Sequence, residues 1–165
     1  MANTFELIAS TTVGSGGAAS IDFTSIPQTY TDLVLKLSLR DSNNSGTMFL
    51  KFNGVGTSYS AKGLYGTGAA AASENLTNAS IQANPSGFTA NTFGNEEIYI
   101  PNYTGSNNKS YSIDSVTENN ATTAYMELFA YLWSNTAAIT SFSITQASGN
   151  IAQYSTAYLY GVKSS

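Results

Sequence analysis

The chain has no cysteine and no histidine. It therefore has no disulfide staple, thiol nucleophile, imidazole base, or nitrogen- or sulfur-ligated metal site. Its one arginine is Arg40, and the net charge is −4. Phosphate contacts need clustered Lys or Arg, so a nucleic-acid partner is not expected. Charged residues are only 10% of the chain while aromatics reach 12%, a balance that excludes intrinsic disorder. No apolar run approaches the ~20 residues of a membrane helix. The start, Met1 to Glu6, lacks the basic and apolar regions of a secretory signal. These absences predict a soluble protein made in the cytoplasm, with no membrane partner and no cofactor.

What is present is a period of two. In the segment 26–41, Leu33, Leu35, Leu37 and Leu39 occupy alternate positions, with Lys36, Ser38 and Arg40 between them. An extended strand puts such leucines on one face, whereas a helix scatters them around its circumference. Pro27 cannot donate to a central ladder, so residues 26–29 read as the bend entering this strand. The rest of the chain reads as further strands that cover the leucine face. At 165 residues there is room for one domain, residues 1–165, with a sizeable core.

The other segments follow the same texture. Phe5, Leu7 and Ala9 alternate in a first strand, residues 14–20 form a glycine-rich hairpin loop, and residues 21–23 start a second strand. Residues 47–53 alternate through Met48, Leu50 and Phe52, and residues 96–101 through Ile98 and Ile100. Residues 109–117 place Tyr111 and Ile113 on one side and Asp114 and Val116 on the other, which predicts partial cover on both faces. In residues 123–134, Ala124, Met126, Leu128, Ala130 and Leu132 alternate with Tyr125, Glu127, Phe129, Tyr131 and Trp133, as in a central strand covered on both faces. Residues 139–145 and 154–162 complete the pattern. The sum is an all-β, antiparallel sandwich of about nine strands with little helix. Strands at both ends are expected to pair or lie adjacent, tying down Met1 and Ser165. Residues 57–95 lose this periodicity, and short strands or a helical turn near residues 69–76 are expected there.

Chemistry-bearing residues are few. Glu96 and Glu97 are adjacent on a strand, so they point to opposite faces and cannot pair. Glu127, set between large aromatics, reads as a solvated or edge-facing glutamate; a buried acid of raised pKa is the alternative. Asp41, Asn43, Ser45 and Gly46 have the opening spacing of a calcium loop, but Phe52 stands where the bidentate glutamate belongs, so an Asx-type turn is expected and no metal. Trp133 reads as core or rim packing. The eleven tyrosines suit either a sugar groove or a protein-facing patch.

Three segments together carry a family resemblance: residues 5–8 with the Gly14–Phe23 run, residues 26–40, and the ending Ser-Thr-Ala-Tyr-Leu-Tyr-Gly-Val-Lys over 155–163. This pattern resembles a group of small virion structural proteins of tailed bacteriophages, found among marine cyanobacterial phages, and leaves residues 55–95 unmatched. The resemblance implies a jelly-roll-like form for the sandwich, a non-enzymatic module made in the host cytoplasm and carried on the virion. Its expected job is a capsid decoration (knob or cement) protein bound to the major capsid protein or another virion protein, with homo-oligomers possible. The alternative is a receptor-binding tail-fibre module that recognises host glycans; the standalone length favours the capsid. The expected attachment surface lies in the unmatched stretch, at Tyr59, Leu64, Tyr65, Ala69, Ala70, Ala71 and Ala72.

Overall fold

The computed structural model describes residues 4–121 and 124–163, and these contain twelve strands and no helix. Eight of the strands form a closed plan. β1 (Phe5–Thr12) pairs with β12 (Thr156–Val162), β2 (Ser20–Phe23) with β11 (Phe142–Gln146), β3 (Asp32–Leu39) with β8 (Gly94–Pro101), and β4 (Thr47–Phe52) with β7 (Ser80–Gln82), all antiparallel. The outermost strands pair first and the innermost last, which is a hairpin rolled over two sheets. One sheet therefore runs β1-β12-β3-β8 and the other β2-β11-β4-β7. That is a jelly roll.

The core follows from β3. Leu33, Leu35, Leu37 and Leu39 are all buried, while Lys36 points to solvent and pairs with Glu97 of β8 at 2.6 Å. Val34 departs from the simple alternation: it sits on the outer face but is buried, flanked in register by Tyr160 and Tyr99. The small sheet contributes Ile21, Phe23, Met48, Leu50, Phe52, Ile81, Phe142 and Ile144 to the same core. Each such side chain contributes about 1.5–3 kcal/mol on burial.

Two hairpins depart from the eight-stranded plan. β5 (Tyr59–Gly66) and β6 (Ala71–Leu76) are inserted between β4 and β7, and β9 (Lys109–Val116) and β10 (Met126–Trp133) follow β8. They add to the large sheet beyond β8 in the order β9-β10-β5-β6, making it eight-stranded. An aromatic cluster fixes this extension to the small sheet. The Phe52 ring lies 5.1–5.8 Å from Tyr59, Tyr111, Trp133 and Phe142, and Tyr111 stacks on Tyr131 at 5.0 Å. Phe129 lies over Gly63 of β5, where a Cβ would stand 2.1 Å from the ring. The free edge of β7 rests on this inner face, and the Tyr131 hydroxyl donates to Ser80 O at 2.7 Å.

Several expectations change. Residues 57–95 hold three strands, β5, β6 and β7, and no helical turn, which raises the strand count from about nine to twelve. The glycine-rich segment is no hairpin loop: β1 and β2 lie in different sheets, so it is a crossing between them. Gly17 there has φ +77°, and a Cβ would stand 2.7 Å from Ile151 O, so the close approach requires glycine. β10 is covered on its aromatic face alone; Met126 and Leu128 face solvent. The same holds for β9, whose Ser110, Ser112 and Asp114 are exposed. The expected strand start at Thr123, and the anchoring of Met1 and Ser165, lie outside the described residues; within them, Lys163 N donates to Thr4 O at 3.0 Å.

The turn after β3 is Asx-like, as its composition predicts. Asp41 is buried, and its carboxylate accepts from Asn43 N at 2.6 Å and Gly46 N at 2.9 Å. Beside it, Arg40 donates to the backbone carbonyls of Ser86, Phe88, Thr89 and Thr92 at 2.7–3.2 Å. One guanidinium thus organises a loop that has no ladder of its own.

Candidate functional site

Strand alternation gives the β9-β10-β5-β6 extension two distinct faces. In register, Asp114, Leu128, Leu64 and Ser73 form one outward row, and Val116, Met126, Gly66 and Ala71 form the next. Leu64, Met126 and Leu128 are 64%, 67% and 57% exposed. With Tyr65, Ala71 and Ala72 they line a shallow depression of about 430 Å³. The fold gains nothing from leaving three large aliphatic side chains in water, and contiguous exposed apolar surface marks an interaction site.

The inner face is different at the same end of the strands. The cross-sheet row there reads Leu37, Glu96, Ser115, Glu127, Tyr65, Ala72. Glu96 is 1% exposed and sealed beneath β7. Burial raises its pKa well above the ordinary carboxylate value, opposed by the Gln82 backbone and reinforced by the charge of Glu127. Neither of its oxygens has a partner of good hydrogen-bond geometry, although the Gln82 backbone and the Ser115 hydroxyl lie close enough to offset part of the burial. Glu127 is 5% exposed and lines a polar cleft of about 420 Å³ with Thr47, Tyr65, Glu74, Gln82 and Tyr125. Burial, then the charge of Glu74, pushes its pKa up to about 7. Its Oε2 has no hydrogen-bond partner. Glu127 is thus a buried acid, and the solvated reading is overturned: odd-numbered positions of β10 all point under the small sheet. Tyr125 meets Tyr65 edge-on at a centroid distance of 6.4 Å.

The residues expected at an attachment surface divide. Leu64 and Ala71 face the outward depression, while Tyr65 and Ala72 border it but belong by alternation to the inner-face row with Glu127. Ala69 and Ala70 lie in the β5–β6 turn, where Thr67 N donates to Ala70 O at 2.9 Å, and Ala69 lines the rim around the strand ends. Tyr59 is excluded: it is 5% exposed inside the aromatic cluster. Its hydroxyl accepts from Phe52 N at 2.9 Å and donates to Val55 O at 3.0 Å, and burial pushes its pKa up to about 12. Its position at the start of β5 places it opposite Trp133, and alternation from there puts Leu64 on the other face.

Sequence reasoning missed Met126 and Leu128, because an aliphatic row on a strand reads as core. The signal was across the strands: their face is shared by Lys62, Ser112 and Asp114, polar residues that mark solvent. Among the described residues no group of three or more acidic side chains converges to hold a metal ion. Comparison with protein-family models, with curated proteins and with solved structures returns no match.

Proposed function

We propose that this chain is a non-enzymatic bacteriophage virion structural protein, a capsid decoration protein that sits on the outside of the head and contacts the major capsid protein. The observation that carries this reading is the aliphatic row Leu64, Met126 and Leu128, held on a sheet extension that lies outside the eight strands of the jelly roll. A rigid face of this kind, poor in charge, suits a contact repeated in many copies, where burial and shape supply adhesion and a precise chemical group is not needed. The resemblance of the chain's two ends to small phage virion proteins supports the setting. Charges on the outward face are few, Asp114 and Lys62 among them, so the attachment holds as salt rises.

The test is co-sedimentation of purified protein with heads that lack it and, separately, with host cells. Recovery with the heads, lost in Leu128→Asp and retained at high salt, is the expected result. A buried interfacial leucine is worth about 1–2 kcal/mol, so even Leu128→Ala weakens binding roughly tenfold. Recovery with cells and not with heads overturns the decoration reading in favour of a receptor-binding tail module.

A further inference from the structure

The cleft on the inner face of the extension holds acids that the fold leaves without counter-charge. Glu127 and Glu74 line it, and Glu96 lies next in the row beyond Ser115. No lysine or arginine is among the lining residues. Lys62, the one lysine of the β5–β6 hairpin, stands on the opposite face, bonded to Asn75 at 2.5 Å. Glu127 is 95% withdrawn from solvent by its 5% exposure, yet its Oε2 finds no donor in the protein. A carboxylate in this condition is poorly solvated and unsatisfied at once, and a donor that also carries positive charge corrects both. Tyr65 and Tyr125 line the same opening, their rings meeting edge-on at a centroid distance of 6.4 Å.

We propose that this cleft is a binding site for a cationic side chain, an arginine guanidinium or lysine ammonium presented by a protein partner, with Glu127 and Glu74 as counter-charges and Tyr65 and Tyr125 as aromatic walls. The chemistry selects among ligand classes. An anion is repelled by the acids. A neutral saccharide stacks on tyrosine but leaves the carboxylates uncompensated. A bare divalent ion needs a converging group of acids, and among the described residues there is none. A guanidinium brings planar paired donors for a carboxylate and a flat face for a tyrosine ring. Gln82 and Thr47 supply further oxygens at the wall. The site opens on the opposite face of the sheet from the aliphatic row, with Tyr65 and Glu127 bordering both depressions, and it does not depend on the role proposed for that face.

The test is an NMR titration of the full chain with Nα-acetyl-L-arginine methylamide, the lysine analogue, and methyl glucoside as the neutral probe. The expected result is a saturable shift of Tyr65, Tyr125 and Glu127 signals with the cationic probes only. Binding is weakened at least about fivefold in Glu127→Gln and unchanged in Glu97→Gln, whose carboxylate lies on the outer face. If Glu127→Gln does not fold, Glu74→Gln makes the same demand on a half-buried edge residue. No saturable shift, equal response to the glucoside, or full affinity in the glutamine variants overturns the proposal. Because isolated protein is used, failure here is separate from failure to bind heads.

Discussion

Replacing Glu127 by glutamine stabilises the protein above neutral pH and leaves it nearly unchanged in acid. The reasoning starts from burial, which raises the Glu127 pKa from 4.5 to about 7. Below pH 4.5 the side chain is protonated in both folded and unfolded chains and makes no difference. Between 4.5 and about 7 the unfolded chain releases the proton while the folded chain holds it, so stability falls as pH rises. Above that window the loss is complete and constant. At about 1.36 kcal/mol per pH unit the full displacement corresponds to roughly 3 kcal/mol. Water in the open cleft screens the charge and reduces this to about 2 kcal/mol. Glu74 from β6 and Glu96 from β8 face the same region and remain in the variant; because the Glu127 charge also raises Glu96, the difference between the proteins reads Glu127 together with that coupling. The assay is urea unfolding of both proteins from about pH 4 to pH 8, with the m-value checked for constancy. Convergent stability at pH 4 and a variant more stable by about 2 kcal/mol at pH 8 is the expected pattern. A constant difference across the range, or a wild type that gains on the variant as pH rises, refutes the assignment of Glu127 as a buried acid.

Other perturbations test other parts of the fold. Leu35→Asp or Leu37→Asp prevents soluble folding, since each puts an uncompensated carboxylate in the core, whereas Lys36→Ala changes stability by no more than about 0.5 kcal/mol. Equal tolerance of both kinds of change, read by soluble yield and thermal unfolding, contradicts the register of β3. Arg40→Met removes the donors that hold four loop carbonyls. It is expected to lower stability by about 2–3 kcal/mol and to make residues 85–93 sensitive to limited proteolysis; an unchanged cleavage pattern contradicts the staple. Gly63→Val collides with the Phe129 ring and should lower stability by about 2–3 kcal/mol or more, while Gly63→Val combined with Phe129→Ala loses less than the sum of the two single changes; additive losses show that the clash is not the cause.

Strand identity was legible where one face is apolar and the other polar. The leucines of β3 are the clearest case, because alternation of that length has one reading. The antiparallel sandwich followed from strand number and turn spacing and its jelly-roll form from the family resemblance, but which strands share a sheet did not. Pairing of β1 with β12 and of β3 with β8 joins residues far apart in the chain, and local periodicity carries no information about distant partners. The glycine-rich crossing to β2 was misread for that reason. The hairpin β5–β6 was hidden because Ala, Ser, Gly and Asn alternate with little contrast in hydropathy, so the period is present and its amplitude is small. The outward patch shared this blindness. Leu64 was recognised as a surface candidate by its irregular surroundings, whereas Leu128, opposite it in register, was assigned to a covered face. Glu127 follows the same logic in reverse: a charge among rings reads as solvated unless the neighbouring strands are known.

The most direct test of the proposed role is electron microscopy of intact particles assembled with and without this protein. The account predicts additional density on the outer surface of the head, with the face carrying Leu64, Met126 and Leu128 turned toward the shell. Density confined to the tail tip, or head density in which that face points to solvent, would contradict it.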